Sequence, residues 1–215
     1  MNIFRVLADL SHLASIGILI HKIINSRSCR GLSFKTQALY LVVFVTRYLD
    51  LFSGEWVSFY NTLMKLFFIG SSAYILYLMK VRFKPTSDPS IDTFRLEYIV
   101  GPSLVLALIF NHQFSFTEVL WTFSIYLESV AILPQLFILQ RTGEAETITT
   151  HYLAALGAYR ALYIPNWVYR YMTEPRKNFE PISFIAGLVQ TGLYLDFFYI
   201  YFTRVLNGQK FELPA

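Results

Sequence analysis

The 215-residue chain is 55% hydrophobic and 15% charged, where a soluble domain carries about 25% charged residues; an ordinary soluble domain is excluded. The formal net charge of +4 is too modest to point to a nucleic-acid partner. Cys29 is the single cysteine, so no intrachain disulfide is possible.

The charges fall between apolar runs, the pattern of a protein that crosses a membrane several times. In chain order there are seven such runs, over 3–24, 36–52, 57–79, 94–110, 116–139, 149–169 and 182–205. Each is close to the ~20 residues a spanning helix needs, allowing for tilt. The first is broken by Arg5, Asp9 and His12 and lacks the basic start and clean apolar stretch of a cleaved signal, so it is expected to stay as a first span. The second contains Arg47-Tyr48-Leu49-Asp50. An arginine inside a spanning helix costs at least ~2.5–3.5 kcal/mol unless it meets a partner or a wet cavity, so Arg47 is expected to serve a purpose. The fifth run holds Pro134-Gln135, read as a kink. The seventh holds Asp196, which no neighbour in sequence neutralises. Only residues 84–90 and 174–178 have the proline, serine and charge content of real loops.

Lysine and arginine bias sets the orientation. The connection between spans one and two holds Lys22, Arg27, Arg30 and Lys35; that between three and four holds Lys80, Arg82 and Lys84; Arg141, Arg204 and Lys210 extend the same side. Connections two-three and four-five have no Lys or Arg, and connection six-seven breaks the pattern with Arg170, Arg176 and Lys177, partly offset by Glu174 and Glu180. The balance predicts a lumenal N-terminus and a cytosolic C-terminus. A faint repeat runs through the chain: Arg47 follows Gly31 by 16 positions, and Arg160 follows Gly143 by 17. It predicts a single all-α membrane domain of two parallel three-helix bundles, 3–79 and 116–205, joined by a linker helix at 94–110 and ending in a tail at 206–215.

Helical spacing collects the polar residues into stripes. Arg5, Asp9 and His12 share a face of the first span; Arg47, Asp50 and Gly54 share one of the second; Glu118, Trp121, Ile125 and Glu128 one of the fifth; Tyr159, Tyr163, Asn166, Trp167 and Arg170 one of the sixth. All lie toward the lumenal half, where they are expected to line one cavity. Three guanidinium groups, Arg5, Arg47 and Arg170, suit a ligand with several carboxylates, and Asp50, Glu118 and the face of Trp121 suit a cation on the same ligand. Simpler readings exist for each residue. Arg47 would be neutralised by Asp50, or Arg160 by Glu128; Trp121, Trp167 and Tyr163 would be interfacial belt residues; His12 would be a helix-packing histidine. They do not account for so many converging charges.

Long blocks of the chain resemble a known family: Met1-Asn2-Ile3-Phe4-Arg5, Thr46-Arg47-Tyr48-Leu49-Asp50-Leu51-Phe52, the stretch from Leu120-Trp121-Thr122 through Leu127-Glu128-Ser129 to Leu133-Pro134-Gln135, and the stretch from Thr142-Gly143-Glu144 to Thr150-His151-Tyr152. The family is that of the K-D-E-L receptors, the lumenal-protein retention receptors of the endoplasmic reticulum, and the resemblance covers the whole chain. It implies a seven-helix fold like that of the PQ-loop and SWEET transporters. It implies binding of C-terminal Lys-Asp-Glu-Leu or His-Asp-Glu-Leu signals in the Golgi, and their return to the endoplasmic reticulum in coated retrograde vesicles. Carried over residue by residue, the signal contacts are Arg5, Arg47, Tyr48, Asp50, Glu118, Trp121, Tyr163, Asn166, Trp167 and Arg170. The pH switch is His12 with Glu128 and Tyr159. Asp196 is implied in return transport, and Asn207-Gly208-Gln209-Lys210 in contact with a COPI-type coat. The implied partners are lumenal proteins with such signals, the coat and membrane lipid; no cofactor is implied. A histidine titrates near ~6.5, so protonated His12 is expected to favour the bound state. A small-solute transporter is the rival reading. An enzyme is disfavoured, since the sequence has no zinc-ligand spacing, no paired catalytic aspartates on facing helices and no serine-elbow motif.

Overall fold

The structure, a computed structural model, describes residues 2–52, 59–86, 90–145, 147–173 and 180–212. It is helical throughout apart from one two-residue ladder. The helices are α1 (Ile3–Ser26), α2 (Phe34–Arg47), α3 (Phe59–Tyr77), α4 (Glu97–Ile109), α5 (Phe116–Val130), α6 (Leu133–Thr142), α7 (Thr147–Thr173), α8 (Pro181–Leu193) and α9 (Leu195–Thr203). Strands β1 (Glu144–Ala145) and β2 (Phe211–Glu212) pair antiparallel. Among the described residues, Ile3–Ser26, Phe59–Arg82 and Phe116–Thr142 are long and apolar enough to cross a membrane, and the pair Pro181–Leu193 and Leu195–Asn207, bent by 45°, makes a fourth. Helix α4 is apolar but spans only 13 residues, while α7 runs for 27 and carries the polar stripe.

The chain packs as two compact units, Met1–Gly31 with Leu139–Ala215, and Leu32–Ile138. This division follows packing and cuts across the sequential triplets that the repeat suggests. The first helix belongs with α7, α8 and α9, because its polar and small residues find their partners there. In the other unit α2 and α4 pack on α5, and α3 packs on α2. The two glycines of the repeat do share a conformation. Gly31 and Gly143 both have positive φ, 75° and 73°, the left-handed geometry that an L side chain resists.

Local chemistry explains several boundaries. Asn2 caps α1, its side-chain oxygen accepting from Arg5 N at 2.9 Å. Ser33 caps α2 by accepting from Thr36 N at 3.0 Å. Asp92 strengthens that start, accepting from Lys35 N and Ser33 Oγ, both at 3.1 Å, where a negative charge complements the helix dipole. Near the expected kink, the α-helical pattern is interrupted at Ala131 and Ile132, between α5 and α6. Pro134 has no N–H to offer the Val130 carbonyl. Gln135 then turns inward, fully buried, accepting from Ser33 N at 2.8 Å while its own N–H donates to Thr36 Oγ1 at 3.0 Å. Gln135 thus anchors the start of α2.

Two expectations are corrected. The second span is not a continuous α-helix to residue 52: α2 ends at Arg47, Tyr48 leaves helical geometry at φ −105° and ψ 34°, and Leu49–Phe52 form a 3-10 turn. The seventh span is not continuous either. It bends after Leu193, and Asp196 lies exposed in the first turn of α9 rather than deep within a helix. A carboxylate is favourable there because it faces the positive end of the helix dipole.

Candidate functional site

In the unit Leu32–Ile138, the end of α2 and the start of α5 form a pocket of about 380 Å³ lined by Arg47, Tyr48, Asp50, Lys65, Glu118 and Trp121 among others. Five of those six are sequence-predicted site residues; Lys65 is not. Arg47 is the most tightly held. Its Nη1 donates to the carboxylate of Glu128, its Nε donates to Ser124 Oγ at 3.1 Å, and its Nη2 donates to the Ser124 carbonyl at 3.0 Å. Glu128 is 1% exposed, and a buried carboxylate is costly unless an opposite charge meets it, as Arg47 does here. Glu118 lies in the first turn of α5, its backbone N donating to the N-cap Ser115 Oγ at 3.3 Å, and Trp121 follows one turn later on the same face.

Arg47 and Asp50 therefore do not neutralise each other on one helical face. They occupy different elements and have different partners: Asp50 accepts a hydrogen bond from the Lys65 ammonium of α3. The Lys65 ammonium also stands 5.8 Å from the centre of the Tyr48 ring, which itself stacks on Phe44 at 6.0 Å. Gly54, predicted on the same stripe, lies outside the described residues.

In the other unit, α1 and α7 run antiparallel with their polar stripes face to face. Asn2 Nδ2 donates to Asn166 Oδ1 at 2.8 Å. The Tyr163 hydroxyl donates to Asp9 Oδ1 at 2.8 Å, and Ser11 Oγ donates to the Ala155 carbonyl at 2.8 Å. Arg5 stands 3.9 Å from Asp9 across one turn of α1. The imidazole of His12 lies flat on the phenol ring of Tyr159, centroids 4.2 Å apart and planes 7° from parallel; both residues are buried. Trp167 packs between Tyr163 and Phe184, over Gly187, where an added Cβ would lie 2.5 Å from the indole. Arg170 is exposed near the end of α7. Arg160 donates through Nε to Gln190 Oε1 at 2.6 Å. A second concavity, lined by Gly17, Ala154, Ala158, Phe198 and Phe202 among others, is apolar and gathers none of the predicted residues.

The tail residues Asn207, Gly208, Gln209 and Lys210 are exposed. Gly208 turns the chain at φ 76°, after which Phe211 is buried against Phe197 at 5.4 Å and β2 pairs with β1. Residues 174–179 of connection six-seven, with Glu174, Arg176 and Lys177, lie outside the described residues. Among the described residues no three His, Cys, Asp or Glu side chains gather as a metal ion would require.

Sequence reasoning missed Asn2, Lys65, Ser124 and Gln190. Lys65 carried a signal, since it is a lone cation inside the third apolar run. Ser124 carried none, because its use is partly through its backbone carbonyl.

Residues 28–170 match the family model described as ER lumen protein retaining receptor. The chain is 60% identical to an ER lumen protein-retaining receptor of Caenorhabditis briggsae and 58% identical to those of Drosophila melanogaster and Gallus gallus, the latter receptor 2, each over the whole of both chains. By that identity and coverage, the chain belongs to the ER lumen protein retaining receptor family.

Proposed function

We propose that this chain binds the C-terminal Lys-Asp-Glu-Leu or His-Asp-Glu-Leu signal of escaped lumenal proteins in the Golgi and returns them to the endoplasmic reticulum in retrograde vesicles. Full-length identity of 58–60% to proteins named ER lumen protein-retaining receptors carries the reading. The family is one of retention receptors, not of enzymes.

The chain acts from the membrane as seven spans in the PQ-loop and SWEET-like arrangement, two parallel three-helix bundles and a linker helix, with a lumenal N-terminus and a cytosolic tail. Signal contact falls to Arg5, Arg47, Tyr48, Asp50, Glu118, Trp121, Tyr163, Asn166, Trp167 and Arg170. The signal's two acidic side chains and its terminal carboxylate meet guanidinium groups, whose planar forks suit carboxylates. The signal's basic first residue meets Asp50, Glu118 and the face of Trp121. The pocket at the end of α2 supports this, since it brings fixed charges of both signs to one small concavity. His12, with Tyr159 and Glu128, sets the pH response; the buried stacking of His12 on Tyr159 supports a site where an added proton is felt. Protonation favours the bound state, so the signal is gripped in the more acidic compartment and released near neutrality. Asp196 and the exposed run Asn207 to Lys210 serve return transport, the latter as a contact for a COPI-type coat.

The test is binding of a peptide ending in Lys-Asp-Glu-Leu to purified receptor at about pH 6 and about pH 7.4, either side of the ordinary histidine pKa. Binding is expected to be tighter at the lower pH, to vanish when the terminal carboxylate is amidated, and to lose its pH dependence in His12→Ala. Equal affinity for free and amidated peptides would overturn the reading, and an unchanged pH profile in His12→Ala would remove His12 from the switch.

A further inference from the structure

We propose that Lys65 is an internal stand-in for the basic residue of the incoming signal, and that the signal's cation enters by displacing it from Asp50. The inference rests on the signal-binding reading above and assigns a selectivity role to a residue outside the predicted site.

The geometry is that of an occupied cation seat. The Lys65 ammonium is ion-paired with Asp50, and it stands above the Tyr48 ring at 5.8 Å, within range of a cation–π attraction. Both residues line the same small pocket as Glu118 and Trp121. The other cation of that pocket, Arg47, is already bound to Glu128. Asp50 is therefore not a bare anion waiting for a ligand. A cation that merely added to the pocket would crowd Lys65, whereas a cation that replaces Lys65 leaves Asp50 paired throughout. Lys65 is then released beside a ligand that brings carboxylates of its own. Lysine suits this role because its compact charge sits on a flexible four-carbon stem and lacks the rigid fork of arginine.

It follows that the advantage of a basic over a neutral residue at the first position of the signal is reduced by the competition from Lys65. Removing the competitor enlarges that advantage; a stronger competitor shrinks it. The experiment measures affinities of peptides ending in Lys-Asp-Glu-Leu and Ala-Asp-Glu-Leu for the full-length receptor in detergent, and takes their ratio. Lys65→Met should raise the ratio by about two- to fivefold, the range of a partly exposed ion pair. Lys65→Arg, which keeps the charge and grips Asp50 with a fork, should lower it by a similar factor. Should Lys65→Met not yield folded protein, Lys65→Arg decides alone. Asp50→Asn should lower the ratio to what Glu118 and Trp121 supply and make it insensitive to Lys65→Met. A ratio identical to wild type in the folded Lys65 variants overturns the exchange, as does a response to Lys65→Met that is undiminished in the Asp50→Asn background. If the wild-type receptor binds neither peptide, the receptor reading itself fails, a different result from unequal binding that ignores residue 65.

Discussion

Arg47 illustrates how a charge is kept at the end of an apolar helix. Each of its three guanidinium nitrogens donates a hydrogen bond, one to Glu128 and one to each oxygen of Ser124. Breaking a buried pair by deleting one partner costs about 3–5 kcal/mol, because the survivor is left uncompensated, whereas deleting both costs far less. Arg47→Ala is therefore expected to lower stability by up to that amount through the loss of the Arg47 charge beside Glu128, quite apart from any loss of binding. The double variant Arg47→Ala with Glu128→Gln should recover most of it. Denaturation of the four proteins in detergent, closed as a thermodynamic cycle, gives the coupling; simple additivity of the two single changes would mean the pair is not what holds α2 against α5. For binding, Arg47→Lys is the cleaner probe, since it keeps a charge for Glu128 and loses the fork.

At the scale of elements, periodicity made some features legible and hid others. The stripes of α1 and α7 could be read because residues three and four apart share a helix face, and the structure brings Asp9 to Tyr163 and His12 to Tyr159. The end of α2 at Arg47 could not be read, because Leu49, Leu51 and Phe52 continue the hydropathy while the backbone has already turned into a 3-10 helix. Nor could the ion pairs, whose members stand 81 and 15 residues apart in the chain; a stripe identifies a face but not its partner. The docking of α8 on α7 turns on Gly187, where a methyl group would press into the indole of Trp167. Gly187→Ala is expected to cost about 1–3 kcal/mol as overpacking. It should also weaken signal binding, because the ring it displaces is a proposed contact. Thermal melting and peptide affinity should fall together; an alanine variant with both unchanged would show that α8 shifts away freely and that Trp167 is not held in place by it.

For the whole molecule, apolar length alone undercounts the predicted crossings. Among the described residues three helices are long and apolar enough, and the bent pair adds a fourth, while α2 and α4 run for only 14 and 13 residues and α7 is diluted by its polar stripe. The difference lies at helices that are short or polar on one face. A helix that ends early at a charged pocket, or that carries tyrosine, asparagine and arginine on one face, no longer scores as lipid-soluble even when its other face is apolar. Outward-facing Leu104, Val105, Leu108 and Ile109 on α4 are the large exposed hydrophobics that lipid would cover. The count has a sharp consequence, because an odd number of spans places the two ends on opposite sides and an even number places them on one. Lys22, Arg27, Arg30 and Lys35 follow the first span and Arg204 and Lys210 the last, so the positive-inside rule predicts that those regions face the cytosol. An N-glycosylation acceptor appended before residue 1 should be modified in cells, and the same acceptor appended after residue 215 should not. Modification at both ends, or at neither, would require an even number of crossings and would refute the seven-span arrangement, while modification of the C-terminal acceptor alone would keep the odd count and invert the orientation.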